Sequence, residues 1–172
     1  LLPFEAMSLN SLAIARMKQD RLDESRELFE QAIAIYDATG NRRMVAGARA
    51  NLAIVEQTLG RLGAAIEQLE GAHRELEALG DDEGRTLVAF NLAYVLAVTG
   101  DAPRARRYLA EAEPRYGGDW EVIWIDARLQ WLEGDHAGAR AGLERAKELA
   151  GDAWEPPLEA ALSTTEPLEP RQ

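Results

Sequence analysis

The 172-residue chain has no cysteine and only two histidines. The lack of cysteine excludes disulfide scaffolds, cysteine-based zinc sites and a catalytic thiol. Two histidines leave little for a histidine-rich metal site, and no apolar run approaches the roughly 18 residues of a membrane span. The sequence also lacks nucleophile elbows, dinucleotide-binding glycine motifs and P-loops. We therefore expect no cofactor, no metal and no membrane span, and we expect the protein to lie in the cytoplasm.

Positive charge is scarce as well. Lysine and arginine number 19 against 30 aspartates and glutamates, so the formal net charge is −11. An acidic surface repels a phosphate backbone, so we expect no direct nucleic-acid binding. Hydrophobic residues make up 47% of the chain, which is typical of a folded domain or a short repeat array. The chain begins with Leu1 rather than Met, so we expect it to be part of a longer protein.

The clearest positive signal is an internal repeat with an offset of 40 residues. Residues 11–14 (SLAI), 51–54 (NLAI) and 91–94 (NLAY) match at this offset. A fourth unit follows at an offset of 34, because Ala127 and Gly134 match Ala93 and Gly100. Repeat periods of about 20 to 50 residues are typical of solenoids.

Each unit has the pattern of two amphipathic helices and lacks the β-branched alternation of strands. Gly60 and Gly100 stand where a left-handed residue would end a first helix, and Asn41, Asp81 and Asp119 are placed to cap the next one. Small residues recur at mid-helix, so paired helices can approach within the short end of the ~8–10 Å range. We predict helices over residues 2–18, 22–39, 42–59, 63–79, 82–99, 102–115, 120–133 and 136–149.

This pattern resembles the tetratricopeptide repeat. Five positions follow the family's order of small residue, turn glycine, small residue, aromatic residue or leucine, and alanine. They are Ala13, Asp20, Ser25, Phe29 and Ala32; Ala53, Gly60, Ala65, Leu69 and Ala72; Ala93, Gly100, Ala105, Leu109 and Ala112; and Ala127, Gly134, Ala139, Leu143 and Ala146. Two departures stand out, because Asp20 replaces the turn glycine and Asp126 replaces a leucine.

The resemblance implies an all-α fold, a right-handed superhelical α-solenoid of about four antiparallel helix pairs with a short C-terminal capping helix. The array is expected over residues 1–162, and its units are expected at about 2–40, 41–80, 81–117 and 119–150. The capping helix is expected at 155–162, and a disordered tail at 163–172.

The resemblance implies binding rather than catalysis, so we expect no enzyme activity and no catalytic residues. In this family the first helices line a concave groove that holds a partner peptide. The positions of this sequence that match the groove are Asn10, Asn51, Ile54, Gln57, Phe90, Asn91, Tyr94, Trp124, Arg128 and Trp131. The 40-residue units resemble those of kinesin light chains and of C-terminal arrays in large bacterial transcription regulators, which suggests the regulatory or sensing part of such a regulator.

Two sets of these residues have alternative explanations. Asn51 and Asn91 can bind the backbone of an extended peptide, or they can hydrogen-bond between neighbouring helices and fix their register. Trp124, Arg128 and Trp131 share one helix face and can form an interaction patch, or the segment after residue 154 can cover them.

A second functional hypothesis has no groove ligand. In this hypothesis the chain is a structural module that packs on an upstream domain or forms a homodimer through its N-terminal helix pair. The residues that suggest it are the apolar Leu1, Leu2, Phe4 and Leu9.

Overall fold

A computed structural model describes residues 2–154, with the side chains from residue 4 onward. Within this range the chain forms eight α-helices and a short 3-10 turn, and no strand. The helices are α1 (Leu2–Lys18), α2 (Leu22–Ala38), α3 (Arg42–Thr58), α4 (Leu62–Leu79), α5 (Asp82–Thr99), α6 (Ala102–Tyr116), α7 (Trp120–Leu132) and α8 (His136–Ala150), and the turn is Gly151–Ala153. Each predicted helix is present with bounds within one residue, so the all-α fold class is confirmed. The expected capping helix 155–162 and tail 163–172 lie outside the described residues.

A residue in the left-handed conformation follows the first helix of each pair. The φ angles are 74° at Gly60, 85° at Gly100 and 94° at Gly134. Glycine adopts these angles without steric cost because it has no Cβ. Asp20 occupies the equivalent turn with a φ angle of 59°, and every other residue with a positive φ angle in the described range is a glycine. The first turn therefore keeps the backbone geometry of the others without their glycine.

Side-chain caps begin several of the helices. An Asn41 oxygen accepts from the Met44 N–H at 3.4 Å, and an Asp81 oxygen accepts from the Gly84 N–H at 3.0 Å, as predicted. The prediction for Asp119 is wrong, because its side chain makes no capping bond. Asp119 does stand at the N-cap position of α7, with the extended backbone (ψ 141°) usual for such a residue. Asp101 and Asp135 cap α6 and α8, and the sequence analysis did not include them.

The described residues divide into two compact units at Val88 and Ala89, within α5. In the first unit, α1 packs on α2, α2 on α3 and α3 on α4, and α1 also contacts α3. Its core includes the predicted small residues and the larger side chains that fill the space between helices, because burying these apolar side chains stabilises the unit. The buried members of this core are Ala6, Ala13, Phe29, Ala32, Tyr36, Val45, Ala48, Leu52 and Val55.

In the second unit, α6 packs on α7 and α7 packs on α8. The approach of α7 to α8 is close, because a Cβ added at Gly142 would lie 2.9 Å from the Cβ of Ala127. Ala127 and Ala146 are fully buried, as their repeat positions predict. Most of the surface of α7 is enclosed, and its buried residues are Val122, Trp124, Ile125, Ala127, Arg128 and Leu129.

Candidate binding face

One side of α1 and the matching side of α3 form a surface without charged side chains, in a chain of which 28% is charged. We call it the α1–α3 face. Both helices belong to the first compact unit and contact each other. Two of its apolar side chains are exposed, Met7 by 52% and Ile54 by 44%. The face consists of Met7, Asn10, Ser11 and Ile14 on α1, and Gly47, Ala50, Asn51, Ile54 and Gln57 on α3.

The face carries three side-chain amides, from Asn10, Asn51 and Gln57, and all three residues are half-buried. None of these amides forms a hydrogen bond with another residue in the part of the chain that the structure describes, and none of their polar atoms is enclosed. An interhelical hydrogen bond of Asn51, one of the two explanations drawn from the sequence, is therefore absent. The amides remain available to both donors and acceptors from outside.

The second unit repeats part of this arrangement on α5. Asn91 is half-buried, and its amide likewise makes no hydrogen bond within residues 2–154. The Phe90 ring lies 5.7 Å from the Tyr116 ring, and the Tyr94 ring lies 5.5 Å from the Trp124 ring, measured between centroids. These aromatic contacts pack the half-buried Phe90 and Tyr94, which lie one turn apart on α5, against Tyr116 and Trp124.

Trp124 and Arg128 are enclosed, with 1% and 0% of their surface exposed. The Arg128 Nε donates a hydrogen bond to the Ala97 carbonyl oxygen at 3.3 Å, and burial lowers the pKa of the guanidinium from its usual value. These two predicted residues are therefore inside the second unit instead of on an open surface. Their burial follows from the apolar character of α7 on nearly all sides.

Trp131 is half-buried near the end of α7. Its ring centroid lies 4.2 Å from that of His136, and the Arg140 guanidinium carbon lies 5.9 Å from it. A cation near an aromatic face is favourable, so Trp131 has neighbours on α8 and does not join the Phe90 and Tyr94 contacts.

Sequence reasoning missed two exposed apolar residues that lie one turn before the amides. Met7 is 52% exposed, and Leu87 is 49% exposed near the end of the first unit. They stand at equivalent repeat positions with Gly47 between them, at offsets of 40. The same offset that located Asn51 and Asn91 would have found them, had the predicted rows been extended by one helical turn.

The strongest charge cluster of the second unit centres on Arg106. Its Nε and one terminal nitrogen donate to the two carboxylate oxygens of Glu133 at 2.9 and 2.7 Å, and the other terminal nitrogen contacts Asp126. These bonds raise the pKa of the Arg106 guanidinium, and Arg106 lowers the pKa of the Glu133 carboxyl. The cluster joins α6 to α7 by paired charges.

The described residues contain neither a group of side chains that could hold a metal ion nor a membrane-spanning helix. Within residues 2–154, no three or more histidine, aspartate or glutamate side chains are grouped so that they could hold a metal ion. None of the helices in this range is both long and apolar enough to cross a bilayer.

A known family model matches the first part of the chain. Residues 4–78 match the family model described as tetratricopeptide repeat. The expected resemblance is therefore supported over this segment, which is less than half of the chain, and members of that family generally mediate protein–protein interactions. No curated protein sequence matches the chain significantly.

Solved structures extend the likeness at the level of the fold. BtubC (BKLC) from P. vanneervenii has a TM-score of 0.72 at 20% identity, over 88% of this chain and 66% of that chain. A candidate kinesin light chain of Podosopora anserina with nearly identical TPR-like repeats gives TM-scores of 0.67 and 0.66 in two crystal structures, at 21% and 20% identity. Those alignments cover 86% and 87% of this chain, and 76% and 77% of the other chain. This chain thus spans just under two thirds of BtubC, and the likeness at such identities concerns the fold alone.

Proposed function

We propose that the chain binds an extended peptide segment of a partner protein through the α1–α3 face of the first unit, and that Asn91 offers the same kind of amide contact in the second unit. The observation that carries the proposal is the set of accessible amides that make no hydrogen bond within the described residues. A primary amide donates through its NH₂ group and accepts through its oxygen, so it can pair with both polar groups of a peptide backbone. Amides at Asn10, Asn51 and Asn91 suit a ligand that is recognised by its main chain.

The rest of the face supports the same function. Helix propensity does not favour asparagine in the middle of a helix. The Asn51 side chain also makes no hydrogen bond to a neighbouring helix within residues 2–154. Interface centres are depleted in charge and enriched in apolar side chains such as methionine, and the exposed Met7 and Ile54 fit this description. A charge-free contact surface also differs from a carboxylate clamp, which would need lysine and arginine on the face.

The double substitution Asn51→Ala with Asn91→Ala tests this proposal. Peptides selected from a displayed random library by the wild-type chain should bind the double variant about thirtyfold more weakly, because each of the two lost amides removes hydrogen bonds of about 1 kcal/mol. Titration by fluorescence anisotropy measures the loss. Circular dichroism and the thermal midpoint should stay unchanged, since these amides hold no helix in place.

A matched control is available on the second helices. Gln31 on α2 and Gln68 on α4 also carry amides without hydrogen bonds to described residues. The double variant Gln31→Ala with Gln68→Ala should bind the same peptides as the wild type does. Equal affinity of the Asn51/Asn91 variant and the wild type, or an equal loss in the glutamine control, would contradict the proposal.

The finer assignment is that this module forms the regulatory or sensing part of a cytoplasmic bacterial transcription regulator, with its ligand in a concave groove. The 40-residue spacing of the first three units supports it, and the net charge of −11 fits a segment that leaves DNA contact to another domain. The parent gene should then encode a DNA-binding domain, and the isolated chain should not retard a DNA duplex in an electrophoretic assay.

A second candidate function is self-association through α1. Phe4 is 76% exposed and Leu12 is 41% exposed, whereas Leu52 and Leu92 at the repeat positions of Leu12 are 2% and 0% exposed. An open apolar helix side of this kind favours an isologous contact with a second copy. Leu9, one of the residues that suggested the dimer, instead packs half-buried against the core. Leu1 and the side chain of Leu2 lie outside the described part of the chain.

A further inference from the structure

The second compact unit contains a cleft between α6 and α8 with α7 as its floor. Its volume is about 400 Å³, which lies within the range of small-molecule sites. Both walls and the floor belong to the same unit. Of the residues around it, Glu113 lies on α6, Val122, Ile123 and Gln130 on α7, and Ala141 and Arg145 on α8.

The cleft exists because α8 presents small residues where the preceding second helices carry side chains. Gly138 stands at the repeat position of Glu24, Ala64 and Arg104, and Gly142 at that of Leu28, Gln68 and Tyr108. A Cβ at Gly138 would approach the Gln130 amide oxygen to 2.8 Å. Gly138 therefore presents no side chain towards Gln130, and Gly142 lets α8 lie close to Ala127 of α7.

The floor combines an apolar area with a fixed amide. Val122 is buried and Ile123 is half-buried. The Gln130 Nε2 donates to an Asp126 carboxylate oxygen at 2.7 Å, and Asp126 is itself held by Arg106. This bond fixes the orientation of the Gln130 amide, because the NH₂ group must face the carboxylate. Its oxygen is enclosed and accepts no hydrogen bond from a described residue, so the amide borders the cleft without offering it a free acceptor.

The two walls carry opposite charges that do not meet. Glu113 on α6 and Arg145 on α8 both border the cleft. Neither forms an ion pair with the other or with any residue in the part of the chain that the structure describes. The other charged residue that borders the cleft, Asp126, is paired with Arg106. A separated carboxylate and guanidinium are complementary to a molecule that carries an ammonium and a carboxylate of its own.

We propose that this cleft binds a free aliphatic α-amino acid. The ligand carboxylate pairs with the Arg145 guanidinium, and its ammonium pairs with the Glu113 carboxylate. Its aliphatic side chain lies on Val122 and Ile123. Exposed ion pairs contribute little each, so we expect a dissociation constant of about a millimolar, which suits a sensor of an abundant metabolite. The site is separate from the α1–α3 face.

L-leucine is the first probe. Saturation-transfer NMR and isothermal titration with the whole chain should show saturable binding of L-leucine. N-acetyl-L-leucine, which lacks the ammonium, and L-leucinamide, which lacks the carboxylate, should each bind about tenfold more weakly or not at all. Equal binding of the blocked compounds, or no saturable binding by L-leucine, L-isoleucine or L-valine, would overturn the proposal.

Substitutions locate the site. Ala141→Leu places a larger side chain in the cleft without loss of helix propensity, so it should abolish L-leucine binding and leave the thermal midpoint nearly unchanged. Glu113→Gln and Arg145→Gln should each weaken binding about tenfold. The matched controls on exposed positions of α8 are Ala137→Leu and Glu148→Gln, which do not border the cleft and should bind as the wild type does.

The outcomes also separate this proposal from peptide recognition. The Asn51→Ala with Asn91→Ala variant should bind L-leucine normally, and Ala141→Leu should bind the selected peptides normally. Loss of L-leucine binding in the asparagine variant, or binding that persists in Ala141→Leu, would place the ligand elsewhere and contradict the inference.

Discussion

Arg128 is the residue whose role the structure changes most. Its repeat position predicts a groove contact, yet its side chain is fully enclosed, with the Nε bonded to the Ala97 carbonyl oxygen. A buried arginine contributes the packing of its long aliphatic stem as well as its charge. Arg128 therefore fills space between α5 and α7 within the second unit.

Truncation of this side chain should destabilise the fold. Arg128→Ala should lower the free energy of unfolding by about 3 kcal/mol, because it leaves a cavity and removes the bond to Ala97. Arg128→Met keeps most of the volume and no buried charge, so its cost should be smaller. Urea unfolding followed by circular dichroism measures both variants. A loss below roughly 0.5 kcal/mol for Arg128→Ala would mean that the residue is a surface contact after all.

The limits of sequence prediction are clearest at such residues. The repeat offset places Asn51 and Asn91 at the same position of successive first helices, and the structure shows both as half-buried amides there. The shorter offset of 34 residues failed to place Trp124 and Arg128, because α7 is apolar on nearly all sides and its periodicity does not indicate an outer face. The close approach at Gly142 and the ring contacts of Phe90 and Tyr94 depend on three-dimensional packing and leave no local pattern.

At the scale of the helix pair, glycine and small residues were enough to predict the element bounds. A left-handed turn residue follows the end of these helices, and each helix ends within one residue of its predicted end. Asp20 adopts the same conformation with a side chain, and that side chain makes no hydrogen bond with the described residues. The α1–α2 turn therefore carries a backbone cost that the α3–α4 turn at Gly60 avoids.

Removal of the Asp20 side chain should stabilise the protein. Asp20→Gly should raise the free energy of unfolding by roughly 0.5–1 kcal/mol, because the left-handed conformation no longer strains a Cβ, while the more flexible unfolded chain offsets part of the gain. The reverse change, Gly60→Ala, should lower it by about 1 kcal/mol. Chemical denaturation midpoints decide the matter, and a lower midpoint for Asp20→Gly would show that the aspartate stabilises the turn in another way.

At the scale of the whole molecule, the two functional candidates differ in the oligomeric state that they require. A peptide-binding chain can stay a monomer, whereas self-association through α1 buries Phe4 and Leu12 against a second copy. If α1 is the contact, sedimentation equilibrium should show a molar mass that rises with concentration. Phe4→Ser with Leu12→Ser should then return the mass to about that of the monomer, because the change removes the apolar contact.

The exposed Leu79, at the far end of α4, provides a matched apolar position away from α1. Leu79→Ser should leave the concentration dependence of the mass unchanged. A wild-type mass that stays at that of the monomer at every concentration would exclude the α1 dimer and leave the α1–α3 face free for a partner.

The absence of charge on the α1–α3 face has a kinetic consequence for a chain with a net charge of −11. Long-range fields act on the approach of two molecules, while contacts at the interface centre govern how long the complex lasts. A partner with basic flanking residues is drawn in by the acidic remainder of the chain and is then held by neutral contacts. Added salt should thus lower the association rate constant and leave the dissociation rate constant almost unchanged. The ionic strength then sets how often a complex forms, and the amide contacts set how long it lasts.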